Sequence, residues 1–213
     1  RLLTTIAYRI KGKTTYAMEG SIFIAGAGVQ WLRDKLNFFK KASETENIVK
    51  SLKDNKGVYL VPAFTGLGAP YWDANARGVL SGLTRDTGPK EIIRATIESV
   101  AYQTYDLFEA MKHDGLKPKL VKVDGGMVMN NWFSQFLSDV VDIKILRPKV
   151  QETTALGAAF MAGLQIGVYK SLKDISKNWH LDKNFTPKIK SKERNNLVKG
   201  WSAAIKKTLT NTI

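Results

Sequence analysis

Apolar residues recur along the chain at two spacings, which predict an alternation of strands and helices. Two extended runs, residues 2–10 and 14–19, surround a Lys-Gly-Lys turn and predict a β-hairpin. From residue 89 to residue 111 apolar side chains recur every three or four positions, and Gly115 follows, so a long helix is predicted there. Further strands are predicted at 58–61, 120–123 and 143–146, and further helices at 21–39, 43–53, 130–140, 154–165 and 193–209. A hairpin followed by strand–helix alternation predicts an α/β fold with a mixed sheet and helices on its faces.

Residues 40–88 interrupt this alternation. Ser43 and Glu46 stand at the spacing of a capping box, which predicts that their side chains close the start of the helix at 43–53. Residues 62–88 are rich in Pro, Gly, Asp and Asn, with aromatic residues among them, so a long ordered loop is predicted. Long ordered loops tend to carry function.

The composition is that of a folded globular domain, since 44% of the residues are hydrophobic and 24% are charged. No apolar run approaches the roughly 20 residues that cross a bilayer, and the sequence contains no cysteine. We therefore expect a cytoplasmic protein with no membrane partner and no disulfide. Because the sequence starts at Arg1 with a strand in progress, we also expect a fragment of a longer polypeptide, with its first strand truncated and residues 1–213 forming a single domain.

The formal net charge is +14, from 33 Lys and Arg residues against 19 Asp and Glu residues. Such an excess raises the question of a polyanionic partner. The lysines are scattered and become dense only between residues 186 and 208, without the arginine forks and interleaved aromatic residues of nucleic-acid readers. Solvated lysines are the favoured interpretation, so no nucleic-acid partner is expected. A basic nucleic-acid-binding domain is the competing hypothesis, and it predicts an affinity that falls steeply with salt.

The first candidate ligand site follows the predicted strand at 120–123. The strand ends near Asp124, two glycines follow, and a helix begins near Asn130. Ligands of open α/β sheets bind outside the carboxyl ends of the strands, and a helix N-terminus favours anions and polar ring edges. The pattern predicts a nucleotide lying over Gly125 and Gly126 with the Asn130 side chain within reach. A turn that serves packing alone is the alternative.

The second candidate lies in the predicted helix at 21–39. Gly26 and Gly28 each cost a helix about 1 kcal/mol relative to alanine, so a bare backbone surface is expected to have a use there. Gln30 follows one turn later, and its amide can both donate to and accept from an adenine or ribose edge. A notch for helix packing is the alternative interpretation.

None of the residues forms a recognisable catalytic or metal-binding arrangement. The sequence lacks a Walker loop and a Gly-x-Gly-x-x-Gly turn, and both histidines lie in polar segments. The candidate carboxylates Asp73, Asp86, Asp124 and Asp139 are not paired with a nucleophile at a telling spacing. Asp73 could as easily be a turn residue, with Arg77 in a salt bridge. We therefore assign no catalytic and no metal-ligating residue to this chain.

Several of these segments match the motifs of a known kinase family. Gly78-Val-Leu-Ser-Gly82-Leu followed by Glu91-Ile-Ile-Arg-Ala95-Thr-Ile-Glu98 resembles the C-terminal signature of the FGGY family of carbohydrate kinases. Val123-Asp-Gly-Gly126 with Asn130-Asn131 resembles the adenosine motif of the wider superfamily of actin, hexokinase and heat-shock ATPases. Residues 62–73 with 76–78 are similar to the members that phosphorylate glycerol, and residues 16–20, 30–34 and 154–159 also resemble the family. The resemblance extends from residue 2 to about residue 207.

The resemblance implies an actin-like ATPase domain of the ribonuclease H-like class, the second of two domains that close around a cleft. It implies transfer of the γ-phosphoryl group of ATP to glycerol, giving sn-glycerol 3-phosphate, with Mg²⁺ carried by the nucleotide. A kinase of another polyol or sugar, and a non-catalytic nucleotide-binding module of actin type, are the alternatives. By position, the nucleotide contacts of the family fall on Gly26, Gln30, Gly126 and Asn130.

The resemblance also implies that this chain is incomplete as an enzyme. The family's glycerol-binding residues, aspartate base and terminal-phosphate loop all precede the point where this sequence starts. Phosphoryl transfer depends on positioning and charge stabilisation by two domains and a metal ion. We therefore expect the chain to bind adenine nucleotide weakly and to catalyse nothing without a missing N-terminal domain of the same polypeptide. A homo-oligomer is implied for the full-length protein.

Overall fold

A computed structural model describes residues 2–210, and its strands form three separate small sheets. β1 (Leu3–Ile10) and β2 (Lys13–Glu19) form an antiparallel hairpin, and β3 (Tyr59–Val61) pairs with β4 (Val79–Ser81) in the same manner. β5 (Leu120–Lys122) runs parallel to β6 (Lys144–Pro148), which pairs antiparallel with β7 (Leu181–Phe185). The mixed sheet is therefore small, and the hairpin does not join it. The expectation of a truncated first strand concerns Arg1, which lies outside the described residues.

The helices lie between these strands in the sequence, and several of them pack around the longest helix, at residues 89–113. The α-helices of residues 2–210 are α1 (Gly26–Asp34), α2 (Glu44–Lys50), α3 (Pro89–His113), α4 (Asn131–Val141), α5 (Thr153–Gln165), α6 (Leu172–Ser176) and α7 (Ser191–Thr208), and a 3-10 helix (Gly126–Met129) precedes α4. None of the helices in this part of the chain is both long enough and apolar enough to cross a membrane. α1, α2, α4 and β3 all pack against α3.

α3 forms the centre of the core because buried residues, both apolar and polar, occupy most of its circumference. Ile93, Ile97 and Ala101 are almost completely buried. The ring of Tyr102 stacks on that of Trp201 in α7, with ring centroids 5.3 Å apart. Full burial of an isoleucine side chain stabilises a fold by about 1.5–3 kcal/mol, so Ile93 and Ile97 each contribute substantially to the core.

α1 is shorter than the predicted helix at 21–39. Asn37 has a left-handed backbone with φ of 55°, and the N–H of Phe38 donates to the Leu32 carbonyl at 3.1 Å, which closes the helix. Before α1, the N–H of Ala69 donates to the Ser21 carbonyl at 3.0 Å. This contact holds the segment before Gly26 against the loop between β3 and β4, and the helix begins only at Gly26.

The β1–β2 hairpin leaves much of its apolar surface exposed. Ile6 and Tyr16 pair across the hairpin, and they are 61% and 67% exposed. Its anchor to the core lies at Gly20, where an added Cβ would stand 2.8 Å from a methyl group of Leu107. The hairpin is therefore attached to α3 through its base rather than along its length.

Asp73 organises the loop between β3 and β4. Its carboxylate accepts hydrogen bonds from the N–H groups of Asn75 and Ala76 at 3.1 and 3.0 Å, and from the N–H and hydroxyl of Thr210 at 2.7 and 2.8 Å. Hydrogen bonds from Thr210 are the largest cause that holds the pKa of Asp73 below its usual value. Asp73 is thus a turn residue that also joins the loop to the end of α7. Arg77 donates to the carbonyls of Ala74 and Ala76 rather than forming the alternative salt bridge.

A second carboxylate, that of Asp106 in α3, joins the same loop to α7. It accepts a hydrogen bond from Nε1 of Trp201 at 2.7 Å and another from the Tyr71 side chain. Burial raises the pKa of Asp106 to about 6, although both hydrogen bonds act in the opposite direction. Ionisation of Asp106 is therefore less favourable in the folded protein than in the unfolded chain, although the charged form still predominates at neutral pH.

This raised pKa predicts that acidification stabilises the fold through Asp106. The unfolded carboxyl has a pKa of about 3.9, so between about pH 4 and 6 the folded state binds more protons, and stability falls as the pH rises. From pH 4.5 to 7.5, Asp106 should lower the free energy of unfolding by about 2 kcal/mol. Asp106→Asn should abolish this decrease, while its amide oxygen still accepts a hydrogen bond from Trp201. Urea unfolding at both pH values measures the difference, with Asp114→Asn at the exposed end of α3 as the control. An unchanged pH dependence in Asp106→Asn would contradict the prediction.

Candidate functional site

A cavity of about 460 Å³ lies between α1, α2 and the 3-10 helix, with α3 contributing Ile97 to its lining. It brings together the four residues that the sequence and the family resemblance single out, although they come from segments about 100 residues apart. Those residues are Gly26, Gln30, Gly126 and Asn130. The volume is within the usual range of small-molecule sites.

Two of these residues are glycines that keep the walls of the cavity open. Gly26 is the first residue of α1 and Gly126 is the first residue of the 3-10 helix. A Cβ added at either position would meet no atom of the described residues within 4 Å, and both glycines line the cavity. Neither glycine is therefore required by close packing against a neighbouring helix.

The neighbouring glycines have structural uses. A Cβ at Gly28 would lie 3.0 Å from a methyl group of Thr96, so Gly28 is the packing notch between α1 and α3. Gly125 has φ of +83°, which an L side chain rarely adopts, and its N–H donates to the Gln151 carbonyl at 3.3 Å. The packing alternative therefore applies to Gly28, whereas a Cβ at Gly125 would meet no atom of the described residues within 4 Å. Packing explains Gly28, turn geometry explains Gly125, and neither explains Gly26 or Gly126.

The 3-10 helix is held in place by a buried arginine of β6. Arg147 donates from Nη1 to the carbonyls of Val128 and Met129 at 2.8 and 3.3 Å, and its Nε is 2.7 Å from the carboxylate of Asp182. Carbonyls at the end of a short helix lack partners within the helix, so a guanidinium satisfies them. The position of Gly126 is thereby fixed relative to the mixed sheet.

Asn130 stands at the junction of the 3-10 helix and α4. Its Oδ1 accepts a hydrogen bond from the N–H of Phe133 at 3.0 Å, which makes it the N-cap of α4. Its Nδ2 lies 3.4 Å from Oγ1 of Thr45 in α2. The side chain therefore connects two walls of the cavity and is only partly available to a ligand.

α2 was predicted as a helix, but its place in the wall of the cavity was not predicted from the sequence. Glu46 accepts hydrogen bonds from the N–H and Nδ2 of Asn131 at 3.1 and 3.3 Å, and it forms an ion pair with Lys50. The predicted capping box is wrong, because the Ser43 side chain makes no capping hydrogen bond and Glu46 turns away from it to bind α4. Thr45 and Glu46 both line the cavity.

The lining of the cavity suits a flat, weakly polar group better than a phosphate. Val29, Ile97, Met127 and Met129 contribute apolar surface. Among the described lining residues, Arg33 is the one cation, and its guanidinium is 2.6 Å from the carboxylate of Asp34. Burial alone would raise the pKa of Glu46, but hydrogen bonds from Lys50 and Asn131 hold it below its usual value, so this wall is anionic at neutral pH.

The chain matches the C-terminal domain of the FGGY family of carbohydrate kinases over residues 3–166. It belongs to this family. Glycerol kinase 1 of Pseudomonas aeruginosa is 55% identical over 207 residues, which are 97% of this chain and 42% of that protein. Glycerol kinase of Clostridium botulinum is 53% identical over 209 residues, again covering 42% of its length. This FGGY chain thus spans about 42% of the length of these relatives.

Solved structures of the family share the fold. The structure of Plasmodium falciparum glycerol kinase with ADP aligns with a TM-score of 0.88 at 37% identity, over 99% of this chain and 42% of that one. A xylulose kinase from Rhodospirillum rubrum aligns with a TM-score of 0.80 at 21% identity, over 98% and 42% of the two chains, which shows the fold alone. The predicted actin-like ATPase fold class is confirmed. The assignment of Gly26, Gln30, Gly126 and Asn130 as nucleotide contacts stays a prediction.

Proposed function

We propose that this chain is the nucleotide-binding half of a glycerol kinase. The complete protein transfers the γ-phosphoryl group of ATP to glycerol and releases sn-glycerol 3-phosphate. One observation carries the proposal beyond family membership: Gly26 and Gly126 leave a cavity open that no described side chain fills. The 55% identity to a glycerol kinase over 97% of the chain supports glycerol rather than another polyol or sugar.

The geometry favours the adenosine part of the nucleotide in this cavity. A purine needs flat contact surfaces, which bare backbone at Gly126 and apolar side chains supply, together with a few polar groups at its edges. The amides of Gln30 and Asn130 are such groups. The phosphates are expected away from the Glu46 carboxylate and towards Gly26 at the N-terminus of α1, which has no side-chain cap.

The chemistry of transfer is assigned to other parts of the protein. When Mg²⁺ accompanies the nucleotide, it supplies charge stabilisation at the phosphates. The proposal places the hydroxyl-activating base, the glycerol contacts and the terminal-phosphate contacts on an N-terminal domain of the same polypeptide. It further treats residues 1–213 as a single domain of a cytoplasmic homo-oligomer. This chain alone then binds and orients adenosine but does not transfer phosphate.

Calorimetric titration with ADP tests the proposal directly. The isolated chain is expected to bind ADP with a Kd of about 0.1–1 mM, because only part of the nucleotide touches this domain. It should show no ATP-dependent phosphorylation of glycerol above a mock-purified control. Absence of ADP binding, or turnover by this chain alone, would refute the proposal. Titration with duplex DNA at low and moderate salt tests the competing hypothesis of a nucleic-acid-binding domain.

A further inference from the structure

We infer that Thr45 is a positioning residue that, together with the N–H of Phe133, makes Asn130 present a hydrogen-bond donor, and not an acceptor, to the base of the bound nucleotide. The inference rests on the proposed function, because it concerns a nucleotide in the cavity between α1 and α2. It adds a residue of the 40–88 segment to the specificity of that site. It also states the chemistry of the base edge that the site selects.

The carbonyl end of the Asn130 amide faces α4. Its Oδ1 faces the N–H of Phe133 at 3.0 Å. A backbone N–H can only donate, so the oxygen must stand on the side of α4. The Nδ2 group therefore stands on the opposite side, towards α2 and the cavity.

The hydroxyl of Thr45 donates its hydrogen to a backbone carbonyl. Its Oγ1 is 2.6 Å from the carbonyl of Ala42, which can only accept, so the hydroxyl hydrogen is used there. What Oγ1 offers to Asn130 is then a lone pair, and it accepts from Nδ2 at 3.4 Å. Thr45 is only 4% exposed, so water does not compete freely for this contact.

The consequence is a fixed polarity at the cavity wall. One hydrogen of Nδ2 is directed to Thr45 and Oδ1 is committed to Phe133, so the second hydrogen of Nδ2 remains for the ligand. A ring nitrogen with a lone pair, of the kind present in adenine, matches this donor. A base edge that presents only N–H groups does not, because two donors would then face each other.

The experiment compares ADP with its 1-deaza, 3-deaza and 7-deaza analogues in calorimetric titrations. In the wild type, one of the three analogues should bind about three- to tenfold more weakly than ADP, because a single neutral hydrogen bond is lost. Asn130→Asp retains the N-cap acceptor but lacks the donor, so it should bind ADP more weakly by at least the same factor and should no longer distinguish that analogue.

Thr45→Val is the decisive variant because it keeps the shape of the side chain and removes the acceptor. It should reduce the discrimination between ADP and the affected analogue by at least half, and Thr45→Ser should restore it. The matched control is Thr208→Val, which removes another buried hydroxyl that donates to a helical carbonyl, that of Ala204 at 2.9 Å. Thr208→Val measures how much stability is lost with a buried hydroxyl. It should leave the discrimination between ADP and the affected analogue unchanged.

The outcomes separate the inference from the proposed function. If the wild type binds no ADP, the proposed function fails and the inference fails with it. If the wild type binds ADP but discriminates against none of the analogues, or if Thr45→Val discriminates as the wild type does, the inference alone is overturned. A Thr45→Val protein that unfolds is replaced in the test by Thr45→Ala, with Thr208→Ala as its control.

Discussion

Glu98→Ala is expected to destabilise the domain by about 3–5 kcal/mol, because it leaves the buried guanidinium of Arg94 without its partner. Glu98 is completely buried in α3, and Arg94 Nε is 2.7 Å from its Oε1. Its Oε2 accepts further hydrogen bonds from Asn55 Nδ2 at 2.8 Å and the Tyr102 hydroxyl at 3.2 Å. Burial raises the pKa of Glu98, and the charge of Arg94 opposes that rise. The substitution therefore removes the acceptor of three donors at once.

The control for this substitution lies in the same helix. Glu109 pairs with Lys112 through an i,i+3 ion pair whose side chains are 44% and 40% exposed. Exposed pairs of this kind contribute about 0–1 kcal/mol, so Glu109→Ala should change the free energy of unfolding little. Urea unfolding at pH 7 measures both variants. If Glu98→Ala costs no more than Glu109→Ala, the buried network does not stabilise the fold as argued.

Gly126→Leu is expected to weaken ADP binding by at least about 100-fold, equivalent to ~2.7 kcal/mol, while the domain stays folded. A Cβ added at Gly126 meets no atom of the described residues within 4 Å, and Gly126 lines the cavity, so a leucine there should occupy part of the volume assigned to the base. Because Gly126 has no left-handed φ, the substitution should introduce little backbone strain. Calorimetric titration with ADP and thermal unfolding provide the two measurements.

Gly157→Leu is the matched control for Gly126→Leu. Gly157 also has free space at the position of an added Cβ and no left-handed φ, but it lies in α5 and does not line the cavity. It should bind ADP as the wild type does. Unchanged ADP affinity in Gly126→Leu would mean that the nucleotide does not lie over Gly126, whatever else the chain binds.

The long and strongly periodic elements were predictable from the sequence. α3 follows its apolar repeat from Pro89 to His113, and the hairpin follows its two extended runs around Lys11 and Gly12. β4, α6 and β7 were missed. β4 has three residues and α6 has five, too few to show a period, and four of the five residues of β7 are exposed. β7 forms because β6 offers it a partner, which is a tertiary cause that a local pattern does not carry.

The candidate site was predictable in part, for a similar reason. The glycines at 26 and 126 interrupt good local patterns, so the sequence itself marks them as unusual. Nothing in the local sequence distinguishes Thr45 as a site residue. Glu46 is at capping-box spacing from Ser43, so the sequence predicts a local role that the fold does not use. Their actual partners, Asn130 and Asn131, are 85 residues away. Only the packing of α2 against α4 reveals them.

The exposed hairpin of β1 and β2 should be less stable than the core around α3. An isolated two-stranded ribbon is marginal in water, and this one is joined to α3 mainly at Gly20. Its amide hydrogens should therefore exchange with solvent through local opening, at a rate that does not depend on global unfolding of the core. Exposed strand edges that bear Ile6 and Tyr16 also provide a template for pairing with another chain, so self-association at high concentration should begin there.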